Sequence, residues 1–482
     1  MLGRTRRVHF VGIGGIGMSG IAELLANLGY EVSGSDAKRS SVTDRLERLG
    51  VRVWIGHDAA NVGAADVVVV SSAIKSGNPE TVEAGRRQIP VIPRAEMLAE
   101  LMRLRSGIAI AGAHGKTTTT SMVALVLEQA GLDPTAVIGG RLSAFGSNAR
   151  LGRGEYMVAE ADESDRSFLK LSPAIAVITN IDREHMESYG SWDDLRQAFV
   201  DFANKVPFYG AVVACADDEP VRGILPRITR RLVTYGFAED GTRPPANVTA
   251  DGMALEAFGS RCIVRHHTSK DPNPRQGTEL GELRLRVPGR HNLLNALAAI
   301  AVGLEVGIGF GPIAAALDQF QGAERRFQRL GEEDGVMVVD DYGHHPTEIA
   351  AVLAAARAGI DRRVVVVFQP HRYSRTEQLM PEFGTALSAA DEVVLTDIYA
   401  AGETPIDGVT VDALAAVVRS AARGPVHVVP SLDRVPDAVA GLTRAGDLVI
   451  TLGAGSIGTT GDRILDAIRQ RRAQAAANGG RR

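Results

Sequence analysis

The chain has 482 residues, of which 45% are hydrophobic and 23% charged, with a formal net charge of −4 at pH 7. That length exceeds what one hydrophobic core organises, so two or three domains are expected, and the charge excludes the basic footprint of a nucleic-acid binder. No apolar run approaches the ~20 residues of a membrane helix. The start runs into a strand without a signal-peptide apolar stretch, and the two cysteines, Cys215 and Cys262, lack metal-ligand spacing, which together point to a reducing cytoplasm.

A first glycine loop follows a strand predicted at Val8–Val11. Gly12, Gly14 and Gly17 fit the spacing G-x-G-x-x-G, and Ile21, Leu24, Leu25 and Leu28 continue it as a helix that Gly29 stops. The next predicted strand, Glu31–Asp36, ends on a carboxylate where a dinucleotide fold places its ribose-binding acid. The fingerprint certifies a diphosphate over a helix N-terminus and no more, so NAD and a UDP-linked substrate both satisfy it. A helix over Val42–Leu49 and strands over Val51–Trp54, Asp66–Ser71 and Val91–Pro93 complete this region. Their continuous Val/Ile runs belong to parallel strands buried on both faces. Gly12, Gly14, Gly15, Gly17, Asp36 and Ser71 are its candidate binding residues.

A boundary is expected near residue 105. Beyond it the strand Ile108–Ala111 leads into Gly112-Ala113-His114-Gly115-Lys116-Thr117-Thr118, and Met122, Val123, Leu125 and Val126 carry the following helix. The spacing Gly-x-x-Gly-Lys-Thr is shorter than a Walker loop, but the parts are the same. Backbone N–H groups and the helix N-terminus face a triphosphate, Lys116 neutralises it, and Thr117 offers a hydroxyl to Mg²⁺. The bland alternative is a glycine turn with a solvated lysine; four consecutive threonines and the acids downstream weigh against it. The strand Tyr156–Glu160 ends in Glu160-Ala161-Asp162-Glu163-Ser164-Asp165, where carboxylates are placed to hold Mg²⁺. The strand Ile175–Thr179 ends in Asn180-Ile181-Asp182, with His185 beyond as a second metal-ligand candidate. After a strand at Ala211–Cys215 and a polar loop over Arg265–Glu279, a helix over Asn292–Val306 presents Asn292 and Asn295 on one face of its first turn. Paired amides can read an adenine edge; N-capping by Asn292 is an equal alternative.

Past a linker at Gln321 the chain is again α/β, with strands at Val336–Asp340, Val364–Phe368, Glu392–Thr396 and Leu448–Leu452. A helix over Thr347–Ala358 is expected to be capped by Thr347 or a neighbour. Two strand ends are dense in chemistry: Asp340-Asp341-Tyr342-Gly343-His344-His345 and Gln369-Pro370-His371-Arg372-Tyr373-Ser374-Arg375. Arginines beside a histidine at a strand's carboxyl end suit a carboxylate or phosphate clamp. The expected architecture is α/β in three domains: a Rossmann-like domain over 1–105, a central P-loop-type ATP-binding domain over 106–322 and an α/β C-terminal domain over 323–482, with the tail from Gln470 disordered.

In this order the motifs resemble the ATP-dependent amide ligases of peptidoglycan precursor synthesis, the Mur ligases, over the whole chain except the tail. The resemblance rests on His9–Gly20, His114–Thr120, Glu160–Asp165, Asn180–Met186, His291–Asn295, Glu324–Phe327, Asp340–Glu348 and Gln369–Arg375. It implies an enzyme that joins L-alanine to the lactyl carboxylate of UDP-N-acetylmuramate through an acyl phosphate, with ATP and Mg²⁺ or Mn²⁺. It implies that residues 112–118 hold the triphosphate, that Thr117, Glu160 and His185 hold the metal, and that Asn292 and Asn295 hold adenine. Arg326 and Asp341 would reach the nucleotide from a closing C-terminal domain. His344, His371, Arg372 and Arg375 would face the reacting carboxylate and amino acid, so these four and Lys116 are the candidate catalytic residues, with a neutral His344 as candidate general base. Several siblings carry a carbamylated lysine a few turns after the metal histidine. Leu195–Phe199 has none and the next lysine is Lys205, so a second Mg²⁺ must be held differently here. Three other readings stay open: a recycling relative that attaches a peptide, an NAD-dependent dehydrogenase, and a non-enzymatic nucleotide switch. The dehydrogenase leaves the second loop unexplained, and the switch has no need of the C-terminal His/Arg cluster.

Overall fold

A computed structural model describes residues 3–71, 73–75, 77–142, 147–237, 246–268 and 277–479. They form three α/β regions, each built on its own sheet. By contact the chain divides into two compact units, one of residues 1–253, 261–284 and 292–321, the other of residues 254–260, 285–291 and 322–482.

In the first unit five parallel strands lie in the order Arg52–Ile55, Glu31–Asp36, Arg7–Val11, Val67–Val70, Val91–Pro93. The order reverses at Arg7–Val11, so the glycine loop after that strand occupies the topological switch point, where an open α/β sheet binds its ligand. Ser40 caps the next helix, Ser41–Arg48, through a box with Thr43.

The second sheet of this unit has ten strands, and Ser106–Ala111 lies between Ile175–Ile178 and Tyr156–Glu160, all parallel. Ile108, Ile110, Val158, Val177 and Ile178 have no exposed surface, which is why these strands read as unbroken apolar runs. Their side-by-side pairing aligns three carboxyl ends: the loop after Ala111, the acids after Glu160, and Asn180 to His185. An antiparallel pair, Thr135–Leu142 and Ser147–Arg150, extends one edge; the apolar pattern did not predict it. Of the polar loop expected over Arg265–Glu279, residues 269–276 lie outside the described residues.

The sheet of the second unit runs Gln328–Glu333, Val336–Asp341, Asp447–Leu452, Arg363–Phe368, Glu392–Leu395, Val426–Val428, with only the first pair antiparallel. Period-two alternation divides it between two cores: Met337, Val339, Val364, Val366 and Ile450 face one, while Val336, Val338, Val365, Val367 and Val449 face the other. Each such side chain contributes roughly 1.5–3 kcal/mol on burial. A one-residue slip would exchange the two sets between unlike cores, so the register is fixed.

The helix after Val336–Asp341 is Pro346–Gly359, and its cap is the neighbour of Thr347 two residues before it, His345, with Glu348 closing the capping box. Two expectations change. The helix carrying the paired asparagines is Arg290–Glu305, so Asn292 lies inside it and does not cap it. The tail continues as the helix Thr460–Gly479 past Gln470, anchored where Ile464, Leu465 and Ile468 enter the core.

Candidate active site

Gly12 takes φ 82° and turns the chain off the first strand; Gly15 caps the helix Ile16–Asn27. Asp36 does not point away from this loop. Its Oδ2 accepts from the Gly14 N–H at 2.8 Å and its Oδ1 from the Lys38 N–H at 3.3 Å. A Cβ at Gly14 would lie 2.9 Å from Asp36 Oδ2, and one at Gly17 would collide with Arg94. Ser71 flanks the loop, its Cβ 3.8 Å from the point a Gly12 Cβ would occupy. Beneath lies Glu80, fully buried, a residue no motif singled out. It accepts from Ser35 Oγ at 2.6 Å and Asn61 Nδ2 at 2.8 Å. Burial works against its charge, yet hydrogen bonds from His9, Ser35 and Asn61 hold the carboxyl down at about 2.

The phosphate loop is stitched to the neighbouring strand end. Asn180 grips His114 from both sides, accepting from its N–H at 2.8 Å and donating to its carbonyl at 3.0 Å, and Thr179 Oγ1 donates to the same carbonyl at 2.7 Å. Gly112 at φ 139° and Gly115 at φ 78° make the turn that a side chain would strain. Lys116 Nζ donates to the carbonyls of Gly112 and Ala113 at 2.6 and 3.1 Å and to Glu163 at 2.9 Å. Burial opposes the Lys116 charge, but Glu163 and Asp162 outweigh it and raise its pKa; burial lifts Glu163 to about 7. Lys116 opens the helix Lys116–Gln129 behind the cap residue Gly115, Thr117 is its second residue, and Thr118, Thr119 and Thr120 are buried. Asn295 belongs to this support: its Oδ1 accepts from Thr119 Oγ1 at 3.2 Å and sits 2.5 Å from where a Gly115 Cβ would stand. Its Nδ2 lies 3.5 Å from Asn292 Oδ1.

Beside Lys116, one ligand atom each from Glu163, Glu184 and His185 lies within 4.8 Å of the others. Two carboxylates and an imidazole are a donor set that fits Mg²⁺ or Mn²⁺. Glu160 ends its strand without joining that group; Glu163, three residues on, and Glu184 take the places beside His185. His114 Nε2 meets Asp182 Oδ2 at 2.8 Å.

In the second unit, Asp341 has both oxygens on its own backbone, accepting from the N–H groups of Gly343 and Phe327 at 2.7 Å each. Burial lifts its carboxyl to about 6 against the pull of Arg326. Arg326 lies 3.4 Å from Glu348 and 5.4 Å from the Tyr342 ring centre. His371 stacks on Tyr399 at 5.5 Å and 14°, and meets His344 edge-on at 5.5 Å. Burial first, then His344, Arg375 and Arg372, push His371 down to about 3, so it is neutral. Arg375 reaches His371 Nδ1 at 3.3 Å, whereas Arg372 lies 3.7 Å from Glu403; the two guanidiniums have separate partners.

Two glycine loops, a buried lysine beside metal-capable acids, and a His/Arg cluster define a nucleotide-dependent ligase. Three domain profiles match in order: the Mur ligase family catalytic domain over residues 7–106, the Mur ligase middle domain over 110–303, and the Mur ligase glutamate ligase domain over 325–455. The chain belongs to the Mur ligase family, whose members are ATP-dependent. Similar proteins include the UDP-N-acetylmuramate–L-alanine ligases of Geotalea daltonii, 53% identical over 470 residues (98% of this chain, 100% of that one), and Geobacter sulfurreducens, 52% identical over 474 residues (98% and 100%). Among solved structures, the UDP-N-acetylmuramate–alanine ligase of Thermotoga maritima superposes with a TM-score of 0.80 at 30% identity, covering 96% of this chain and 99% of that one. A murein peptide ligase of Psychrobacter arcticus gives 0.70 at 25%, covering 96% and 98%. No described helix is long and apolar enough to cross a membrane.

Proposed function

We propose that the chain joins L-alanine to the lactyl carboxylate of UDP-N-acetylmuramate in the cytoplasm, converting ATP to ADP and phosphate. The observation that carries this reading is the phosphate loop locked by Thr179 and Asn180, with Lys116 beside Glu163, Glu184 and His185. It stands in a chain similar from end to end to ligases of that name. The muramyl carboxylate attacks the γ-phosphorus, giving an acyl phosphate and ADP; the amine then attacks the carbonyl carbon and phosphate leaves. Gly12, Gly14, Gly15 and Gly17, with Ser71, cradle the UDP diphosphate, and Asp36 braces that cradle. Lys116 neutralises the moving phosphoryl group, and positioning with charge compensation is most of what this transfer requires. Glu163, Glu184 and His185 would hold Mg²⁺ or Mn²⁺, with Thr117 and Glu160 as further donors. The cation supplies charge neutralisation on the phosphates. Asn292 and Asn295 serve the adenine side, with Arg326 and Asp341 as further nucleotide residues, while Arg372 and Arg375 orient the amino-acid carboxylate or the acyl phosphate.

The test is phosphate release that requires UDP-N-acetylmuramate, ATP, a divalent cation and L-alanine together. The murein peptide ligase likeness supports a second reading, so the amine panel includes L-alanyl-γ-D-glutamyl-meso-diaminopimelate. Faster turnover with that peptide than with L-alanine would replace the first reading by the second.

A further inference from the structure

We propose that Glu348 and His344 form a carboxylate–imidazole dyad that takes the proton from the incoming amine, while His371 is set the opposite way, as a hydrogen-bond donor. This rests on the ligase reading above. The assignment follows from what flanks each ring. His344 Nδ1 lies 3.1 Å from the Tyr342 carbonyl oxygen and 3.4 Å from Glu348 Oε2. Both are acceptors, so Nδ1 carries the proton and Nε2 keeps its lone pair. His371 Nδ1 faces the Arg375 guanidinium at 3.3 Å. An arginine has no lone pair to offer, so neutral His371 carries its proton on Nε2. Tyr399 stacks on the His371 ring at 14° and limits its rotation. One imidazole presents a base and its neighbour a donor.

The helix cap aims this dyad. Glu348 Oε2 accepts from the N–H groups of His344 at 3.0 Å and His345 at 3.3 Å, and Oε1 lies 3.4 Å from Arg326 NH1. The oxygen that closes the capping box is therefore the one that faces His344 Nδ1, and Glu348 acts as a positioning residue for the base. A base oriented by a third group is the arrangement that activates nucleophiles elsewhere. The protons balance as follows. The amino acid arrives as an ammonium and gives one proton to Nε2. The freed lone pair forms the N–C bond at the acyl carbon. As the C–O bond to phosphate breaks, the remaining extra proton on nitrogen passes to the departing phosphate, and His344 returns its own proton to water. Glu348 stabilises the imidazolium in between.

The full-length enzyme tests this with two nucleophiles. Hydroxylamine is uncharged at neutral pH and needs no base to trap the acyl phosphate as a hydroxamate; L-alanine needs one. Glu348→Gln keeps an oxygen able to close the capping box but removes the charge. Amide formation from L-alanine by Glu348→Gln, and by His344→Gln, is expected to fall by about 10²–10⁴, with hydroxamate formation lowered far less. Wild-type amide formation by Glu348→Gln would overturn the dyad. So would equal loss of both products, which would make Glu348 a support for Arg326 and the fold. If the wild-type enzyme gives no hydroxamate with UDP-N-acetylmuramate and ATP, the ligase reading fails first and the dyad falls with it.

Discussion

Lys116 holds two loop carbonyls and one buried carboxylate with a single ammonium, so its removal tests loop and catalysis at once. Lys116→Met leaves Glu163 buried, but that carboxyl already titrates near 7 and takes up a proton, so the variant is expected to fold. Phosphate release should drop by about 10²–10³ while UDP-N-acetylmuramate affinity, measured by calorimetry, stays put; near-normal turnover would remove Lys116 from the chemistry. His371 carries a pH signature. An ordinary histidine titrates at 6.5 and this one at about 3. Between those values the unfolded chain binds a proton that the folded chain refuses, so stability rises with pH through the window. The contribution is complete above 6.5 and lost progressively on acidification toward 3. His371→Asn abolishes that dependence, so its urea midpoint should fall less than the wild type's between about pH 7 and about pH 5. Parallel falls would assign the acid sensitivity to other groups.

At the scale of elements, what the sequence discloses is conformation and what it hides is aim. Gly112 and Gly115 are legible because their positive φ values have a residue signature. The clamp on them is not: Asn180 lies 66 residues from His114, and no local spacing says which way a side chain at a strand end will turn. Asp36 falls where a ribose-binding acid belongs, yet it turns back onto the Gly14 N–H. Which residue caps Pro346–Gly359 stayed open between Thr347 and its neighbours, because the capping residue, His345, is not of a usual capping type. Thr135–Leu142 escaped because Gly139 and Gly140 interrupt its apolar run. Two predictions belong here. Asn180→Asp keeps the acceptor and the size but loses the donor, so the KM for ATP should rise about tenfold, the equivalent of ~1.4 kcal/mol for one hydrogen bond; an unchanged KM would mean that Thr179 alone holds the loop. Gly14→Ala forces a Cβ against Asp36, so UDP-N-acetylmuramate binding should weaken with ATP binding unaltered, and equal weakening of both would place the UDP site elsewhere.

On the scale of the whole molecule, the second unit is not a continuous piece of chain. Residues 254–260 and 285–291 belong to it, and the packing inside it gives the reason. Phe258 sets its ring 6.3 Å from that of Phe327, with Arg329 5.7 Å from the Phe258 ring centre, and a Cβ on Gly359 would run into the backbone of Glu256. Ala257 and Phe258 of the first segment pack against the apolar core around Phe327, Ile349 and Leu353, and in the second a Cβ on Gly289 would stand 3.0 Å from Ala355 Cβ. Neither segment is a linker, although nothing in their own composition separates them from the strands they extend. Phe258→Ala in the full chain should therefore destabilise the second unit by about 1–3 kcal/mol. A fragment of residues 322–482 lacks both segments and should lose more. The reporter is amide hydrogen exchange in the Val336–Asp341 and Arg363–Phe368 strands, whose slowest protons open only with the core of this unit. Exchange should quicken modestly in Phe258→Ala and strongly in the fragment; equal protection in the fragment and the full chain would mean that the unit is complete from residue 322 onward.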